Sequence, residues 1–369
     1  MRLAQYGSSD HPQVLGNATN ELAGNTETWR INDNGGRLFE GGIQARSDNN
    51  VDVLGVSVDL RYQWIINEQG NRQGNEQGNE RIAIAARKHT EAMRLAPMNT
   101  PSSLYLDPFP VNGGGGNTNG RSHAVRAAYY SAGFILQRVL ADKLDIDPSE
   151  VEIADLAPRT LEDTSRVGEI ILADELPNGS GFVRALHENL NAWLPDALGS
   201  ATTIPFMNAM YAAAHQGACK DSCYHCLRVY RNMNYHSLLD WRLGVGLLRI
   251  LHDPQYRCGA DGNFNAGIEM SDWIASAEAQ ANAFQGNFPG VAIDHVLLDD
   301  QPIPMLQTPN TNYLIIHPFW NFDDPGDETW LSRLIRNARD QSNGKELSWV
   351  DHFNLHRRIG WCYANILNA

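Results

Sequence analysis

The sequence predicts an α/β or α+β protein, in which a mixed sheet with flanking helices is followed by a smaller C-terminal α/β domain. Alternating, strand-like segments are interleaved with segments of helical periodicity, and the composition shifts to Gly, Asp and Asn after Cys258. The chain has 369 residues, 42% hydrophobic and 20% charged, which is enough for about two globular domains. We therefore predict a flexible lead-in over residues 1–28, a first domain over residues 29–255 and a second over residues 256–369.

The first part of the chain is predicted to be mainly strands. Residues 29–39 predict strand, tight turn and strand, because the turn contains Asn34-Gly35, two residues that tolerate positive φ. Apolar and other residues also alternate over residues 51–58 and at the start of 81–95, which predicts further strands. The polar repeat at 67–80 has no apolar side chain to bury, so we expect a mobile hairpin tip there. The glycine-rich loop at 112–120 lacks the Lys-Ser/Thr ending of a phosphate-binding loop and is predicted to be a connector.

The remaining elements follow from apolar periodicity. Helices are predicted at 122–145, with Ser122 as N-cap, and at 182–193, 206–214, 235–251, 271–284 and 328–340. Strands are predicted at 151–156, 169–173, 291–298 and 312–317.

The net charge and the hydropathy of the chain argue against some classes of function. The net charge of −14 repels nucleic-acid phosphates on average, so the isolated chain should bind DNA weakly. Local basic clusters, Arg121 with Arg126 and the run 356–358, could touch DNA, although a solvated face is the favoured interpretation. No stretch approaches the roughly 18 consecutive apolar residues of a membrane helix, and the N-terminus lacks the apolar core of a signal peptide. We expect a cytoplasmic protein without membrane contact.

A cluster of cysteines is the strongest chemical signal. Three of the five cysteines, Cys219, Cys223 and Cys226, fall within eight residues. Thiolates at this spacing can converge on one ion when the loop curls around it, and zinc favours thiolate and imidazole ligands in a closed tetrahedron. This adds a zinc-stapled helical segment to the predicted fold. Three buried thiols without a metal are the simpler alternative.

The fourth ligand is open at this point. His236, at the start of the next predicted helix, is the leading candidate to complete a site with Cys219, Cys223 and Cys226. Three further residues compete for that place: His215, His225 and Cys258. A site closed by a protein ligand leaves no position for a reacting water, so we expect the zinc to be structural.

Catalytic interpretations of the same region are weaker. The C-x3-C-x2-C spacing also occurs in radical S-adenosylmethionine enzymes, but the residues after Cys226 contain too few strand–helix repeats for their barrel. A zinc deaminase would combine the His89-Thr90-Glu91 segment with Cys223 and Cys226, yet Ser222 replaces the expected proline.

A metal-dependent nuclease is a further alternative. Asp155, Glu169 and Asp174 lie on or near neighbouring predicted strands. No lysine accompanies them in a Glu-x-Lys arrangement, so nothing obvious activates a water. We therefore favour solvent-facing carboxylates.

The run from Cys219 to Leu243, which contains Leu227-Arg228, His236 and Leu239-Asp240-Trp241-Arg242, resembles the MZB (MrfA-type zinc-binding) domain family associated with helicases. Weaker matches upstream include Leu176-Pro177-Asn178-Gly179-Ser180-Gly181-Phe182. The tail segments at 317–320 and 353–358 are similar to DrmB-like phage-defence proteins.

This resemblance implies a structural Zn²⁺ and an accessory role beside a superfamily 2 DNA helicase encoded nearby, with DNA contacted through that complex. Members commonly use four cysteines, whereas three are clustered here. The chain carries no Walker A motif and no DEAD-type box, so we expect a separate helicase or a split one, and no enzymatic activity of the chain itself. A cryptic nuclease or deaminase is the alternative function.

Overall fold

A computed structural model describes residues 2–6, 10–32, 39–41, 50–53, 56–59, 64–66, 80–82, 84–111 and 116–367. The predicted turn at 33–36 and the repeat at 67–79 lie outside the described residues, as does the start of the glycine-rich loop at 112–115. The observed architecture confirms the α+β alternative of the predicted fold class, with two main sheets and packed helices.

The strands in chain order are β1 Arg2–Tyr6, β2 Asp10–Leu15, β3 Ala18–Asn32, β4 Phe39–Gly41, β5 Asn50–Val53, β6 Val56–Asp59, β7 Trp64–Ile66, β8 Glu80–Ile82, β9 Ile84–Pro97, β10 Val151–Ile153, β11 Ala157–Thr160, β12 Arg166–Asp174, β13 Ala292–Leu298, β14 Gln301–Gln307, β15 Thr311–Ile316 and β16 Glu346–Asp351. The helices are α1 Gly116–Leu144, α2 Phe182–Leu198, α3 Pro205–Tyr211, α4 Ala213–Ala218, α5 Trp241–His252, α6 Trp273–Asn287, α7 Trp330–Gln341, α8 His352–Arg357 and α9 Ile359–Cys362. Shorter helical turns are the 3-10 helices Pro148–Glu150 and Tyr230–Tyr235 and a π-helical turn at Tyr363–Leu367.

The larger sheet is antiparallel and has the order β1-β3-β9-β12-β10, with β2 paired to β3 and β11 paired to β12. Its longest pairing runs from Ala18↔Pro97 to Asn32↔Ile84, with a bulge between Ala23 and Thr26. Two small antiparallel groups accompany it, β4 with β8 and β5-β6-β7. The sheet is antiparallel throughout, so the predicted mixed sheet is found only in the C-terminal part.

Part of the predicted lead-in forms strands in the structure. Residues 10–28 belong to β2 and β3, and β3 is hydrogen-bonded on both sides, to β1 and to β9. Polar side chains of this segment are buried inside the fold, although the Asn20 Oδ1 and the Thr28 Oγ1 have no hydrogen-bond partner. Asn20 is fully buried and its Nδ2 donates to the His187 carbonyl at 3.0 Å.

Helix α1 packs across the larger sheet and against α5. Its predicted apolar face is confirmed, because these side chains are buried: Val125, Tyr129, Ala132, Leu136, Val139 and Leu140. The helix begins at Gly116, however, and not after Ser122, which is buried within it. The Ser122 hydroxyl lies 3.2 Å from the Tyr105 hydroxyl, so it makes a tertiary contact instead of a cap.

The smaller sheet has the order β13-β14-β15-β16. The first two pairings are antiparallel, whereas β15 and β16 are parallel and are joined through α7. One continuous hydrophobic cluster includes Leu136 of α1, Leu248 of α5 and Leu314 of β15. The cluster joins residues from both sides of position 255, so the domain boundary near that residue stays a prediction.

Candidate metal centre

The cysteine cluster lies where α4 ends and the chain turns towards α5. Residues 219–239 are called the cysteine loop below. His215 and Cys219 are four residues apart at the end of α4, and the Cys219 N–H donates to the His215 carbonyl at 2.7 Å. Residues with this helical spacing share one face. A tight turn follows, in which the Cys226 N–H donates to the Cys223 carbonyl at 3.1 Å.

The local fold brings four donors together. The donor atoms of His215, Cys219, Cys223 and Cys226 all lie within 4.8 Å of one another. The Sγ–Sγ distances are 3.9 Å between Cys219 and Cys226 and 3.7 Å between Cys223 and Cys226. The Cys223 Sγ lies 3.5 Å from the His215 Nε2.

These distances fit a zinc tetrahedron. With Zn–S of about 2.3 Å and Zn–N of about 2.05 Å, the edges of an ideal tetrahedron are about 3.8 Å for S–S and about 3.5 Å for S–N. The two S–S distances and the S–N distance of the cluster match these values within a few tenths of an ångström. The donor set, three thiols and one imidazole, is also the set that zinc prefers in closed structural sites.

Neighbouring groups fix the orientation and the tautomer of the His215 ring so that it can bind a metal ion. Its Nδ1 lies 2.7 Å from the Met210 carbonyl oxygen. A carbonyl only accepts hydrogen bonds, so Nδ1 carries the proton and Nε2 presents its lone pair to the thiols. The Trp241 ring packs 5.9 Å from the His215 ring, and its Nε1 donates to the Cys219 carbonyl at 3.3 Å. Helix α5 therefore contacts both residues that the end of α4 contributes to the cluster.

The cysteines are electrostatically unequal. A hydrogen bond from the Cys219 thiol lowers the pKa of Cys226, and the backbone N–H groups of Cys223 and Leu227 add to this effect. The pKa of Cys219 is raised by the same pairing and by burial.

His236, the leading candidate from the sequence, lies elsewhere in the cysteine loop. Its Nε2 is 3.0 Å from the Val229 carbonyl oxygen and 2.9 Å from the Asn232 Oδ1. Its role as a ligand stays a prediction, but the geometry favours His215.

The two other candidates are also outside the cluster. His225 is exposed. Cys258 is buried, with its Sγ 3.6 Å from the His317 Nε2 and 3.5 Å from the Met270 Sδ. The signal that could have identified the better candidate is the helical spacing of His215 and Cys219, which extends the motif to H-x3-C-x3-C-x2-C.

The carboxylates of the nuclease alternative have structural partners. Asp174 is buried and accepts the backbone N–H groups of Ser180, Gly181 and Val183 at 2.7, 2.8 and 3.0 Å, which anchors the start of α2. Burial raises the pKa of Asp174, while these N–H groups oppose the shift.

Two further acidic side chains were singled out from the sequence. Glu169 pairs with Arg159 at 3.2 Å, and Asp155 accepts from the Tyr130 hydroxyl at 3.1 Å. In the part of the chain that the structure describes, the group of His, Cys, Asp and Glu side chains arranged to hold a metal is the His215 cluster. The carboxylates are therefore better explained as structural than as solvent-facing or catalytic.

The deaminase alternative requires a histidine from β9 beside the cysteines. His89 instead lies with its Nε2 3.5 Å from a Glu27 carboxylate oxygen, and Glu91 is paired with Arg184. Neither belongs to the metal cluster among the described residues.

The basic clusters predicted to be solvated are largely engaged by the fold. Arg121 is 2% exposed, lies over the Tyr105 ring at 3.8 Å and pairs with Asp323 at 3.0 Å. Arg357 of α8 pairs with Asp221 of the cysteine loop at 3.1 Å. The prediction of solvated faces is wrong for these two arginines, because both serve tertiary contacts.

Comparison with known proteins agrees with this site. Residues 132–227 match the family model of the MrfA Zn-binding domain, MZB. The match begins within α1 and ends directly after Cys226, so it contains all four residues of the cluster. The predicted resemblance and the predicted zinc cofactor are confirmed.

Two larger proteins are similar to parts of the chain. The Druantia protein DruE of Escherichia coli (strain UMEA 4076-1) is 28% identical over 119 residues, which are 32% of this chain and 6% of DruE. The crystal structure of the DUF1998 helicase MrfA bound to DNA aligns with a TM-score of 0.34 and 11% identity, over 68% of this chain and 24% of that chain. The chain thus spans only a small part of the length of either protein. No helix among the described residues is long and apolar enough to cross a membrane.

Proposed function

We propose, from the premise that residues 132–227 form an MrfA Zn-binding domain, that this chain is a zinc-binding accessory component of a helicase-containing complex that processes DNA or defends against phage. One observation carries the proposal: the match to this domain contains a complete donor set at tetrahedral distances. The similarity to a Druantia protein supports a role in defence. The site of action would be the cytoplasm.

The ligands of the zinc in this proposal are His215, Cys219, Cys223 and Cys226. The distances within this set support it, and His215 lies inside the matched residues whereas His236 lies beyond them. The loss of a fourth cysteine relative to other members is then compensated by an imidazole.

The zinc would be structural. Four protein donors close the tetrahedron and leave no position for a water to be activated. The ion would fasten the end of α4 to the cysteine loop. Arg242, at the start of α5, donates to the carbonyl oxygens of Cys219 and Lys220 at 3.1 Å each, which links the fastened loop to the core helix.

The partner in this proposal is a superfamily 2 DNA helicase encoded near this chain. Support comes from the family name and from MrfA, which is itself a helicase and was solved bound to DNA. The partner would carry the ATPase motor of the helicase, and this chain would supply a rigid surface stabilised by zinc.

Co-expression of the tagged chain with the neighbouring helicase tests the partnership. We expect the helicase to co-purify, and its DNA-stimulated ATPase rate to change when the chain is added. The Leu297→Ala variant, altered at an exposed side chain of β13, serves as a control and should behave like the wild type. If no complex forms and neither the ATPase rate nor the DNA affinity of the helicase changes, the accessory role is wrong.

A further inference from the structure

The cysteine loop presents unusually exposed large side chains. Tyr230 is 82% exposed, Tyr224 is 69% exposed and Met233 is 53% exposed. With Val229, they are four of the eight large hydrophobic residues that are exposed among the described part of the chain. Apolar side chains that are exposed together, and not singly, mark interaction sites on soluble proteins.

The same loop is basic within an acidic protein. Residues 222–239 contain no Asp or Glu, although the chain carries a net charge of −14. Arg231 is exposed beside Tyr230, and Lys220 is exposed at the start of the loop. Asp221 is paired with Arg357, so it does not cancel these exposed charges.

A groove continues from this surface into the protein. It has a volume of about 690 Å³ and extends from Tyr230 and Arg231 to Phe134 and Arg138 of α1. The Arg138 Nε is buried and has no hydrogen-bond partner, which leaves a donor for a ligand.

Two of the three acidic side chains of the groove are paired with cations. Glu152 pairs with Lys88 at 2.8 Å, and Glu175 pairs with Arg30 at 2.9 Å. Asp147 accepts the Ser149 N–H at 2.7 Å as a helix cap. Asp147 keeps its charge, so Arg138 and Arg231 exceed the unpaired carboxylates of the groove by one positive charge.

We propose that this face, formed by Tyr224, Tyr230 and Arg231 with the groove that ends at Arg138, binds single-stranded nucleic acid. Bases stack on the two tyrosine rings, and phosphates contact Arg231 and Lys220. Stacking is tolerant of sequence because every base has a π-face, and basic side chains track the backbone of the strand. A polyanion explains both the exposed rings and the lack of Asp and Glu over residues 222–239, whereas an apolar protein partner explains only the rings.

This inference goes beyond the accessory role, because the binding belongs to the chain alone and needs no helicase. The test is fluorescence anisotropy of the purified, zinc-loaded chain with a labelled oligothymidine of about 16 nucleotides. We expect binding that weakens as salt rises from about 50 to about 200 mM. A duplex of equal length should bind more weakly, because its bases are not free to stack on the tyrosines.

Matched variants separate stacking from charge. Tyr230→Ala should weaken binding roughly tenfold, whereas Tyr230→Phe should retain it because the ring face is preserved. Arg231→Gln should reduce the slope of log K against log salt by about 0.7. Arg336→Gln, at an exposed arginine of α7, should leave both affinity and slope unchanged.

Zinc content and melting temperature show that each variant is folded. The proposal is overturned if the wild-type chain does not bind the strand at about 50 mM salt. It is also overturned if Tyr230→Ala binds as tightly as the wild type or if the duplex binds equally well. Loss of helicase co-purification in Tyr230→Ala, with unchanged DNA affinity, would identify the face as a protein interface instead.

Discussion

Replacement of His215 by alanine tests the metal centre most directly. The distances of the cluster fit four protein ligands, and they favour His215 over His236 as the fourth donor. Zinc binding to structural sites of this kind contributes about 10–16 kcal/mol. If the four ligands contribute comparable shares, the loss of one costs about 3 kcal/mol, which weakens zinc affinity by about 100-fold.

The control is His236→Ala, which should leave zinc affinity unchanged. His215→Cys should restore most of the affinity, because the S–S edge of about 3.8 Å is close to the S–N edge that it replaces. Competition with a chromophoric chelator measures the affinity, and elemental analysis measures the zinc content. If His236→Ala loses the metal while His215→Ala retains it, the ligand assignment from the distances is refuted.

Three further predictions concern stability. Cys223→Ser should give insoluble or much less stable protein, measured by soluble yield and thermal melting, since zinc binding contributes to folding directly; a stable, metal-free variant would contradict this. The Glu269 side chain has no solvent-exposed surface and pairs with Arg249 at 2.8 Å. Glu269→Gln would leave the Arg249 charge unpaired, and it should lower the free energy of unfolding by about 3 kcal/mol in denaturant titrations. A loss below about 1 kcal/mol would argue against an uncompensated buried charge. Burial, with charge from Arg358 and other arginines, lowers the pKa of His123 from 6.5 to about 4. As the pH falls, the unfolded chain protonates this histidine before the folded chain does. The stability that neutral His123 contributes is therefore complete above pH 6.5 and is lost as the pH falls towards 4. His123→Gln should reduce the dependence of the free energy of unfolding on pH in this window by at most about 1.4 kcal/mol per pH unit, and an unchanged dependence would contradict the prediction.

The metal centre also explains why the surface of the cysteine loop can be both exposed and ordered. The loop has few apolar contacts of its own at Tyr224, Tyr230 and Met233. The contacts of Trp241 and Arg242 with the Cys219 carbonyl hold it against the core instead, and a zinc ion bound by the cluster would add a cross-link. Removal of the metal should therefore affect ligand binding by this face before it affects the distant β13–β16 sheet.

The sequence by itself determined the elements whose signals are local. The apolar face from Val125 to Leu140 predicts α1 because helical spacing requires no information about neighbours. The crowding of Cys219, Cys223 and Cys226 predicts a metal site for the same reason, since these thiols are neighbours in the chain before the chain folds.

Only the tertiary structure decided the features that depend on distant partners. Residues 18–28 look too polar to be ordered, yet they form a central strand because β9 pairs with one edge and β2 and β1 pair with the other. The Asn20 Nδ2 also donates to the His187 carbonyl inside the fold. Arg121 looks like a surface charge, but the rings of Tyr105 and Trp349 and the carboxylate of Asp323 enclose it. The choice between His215 and His236 as the fourth metal ligand also depends on distant partners. Both are near the cysteines in sequence, and only the path of α4 and the hydrogen bonds of His236 to Val229 and Asn232 distinguish them.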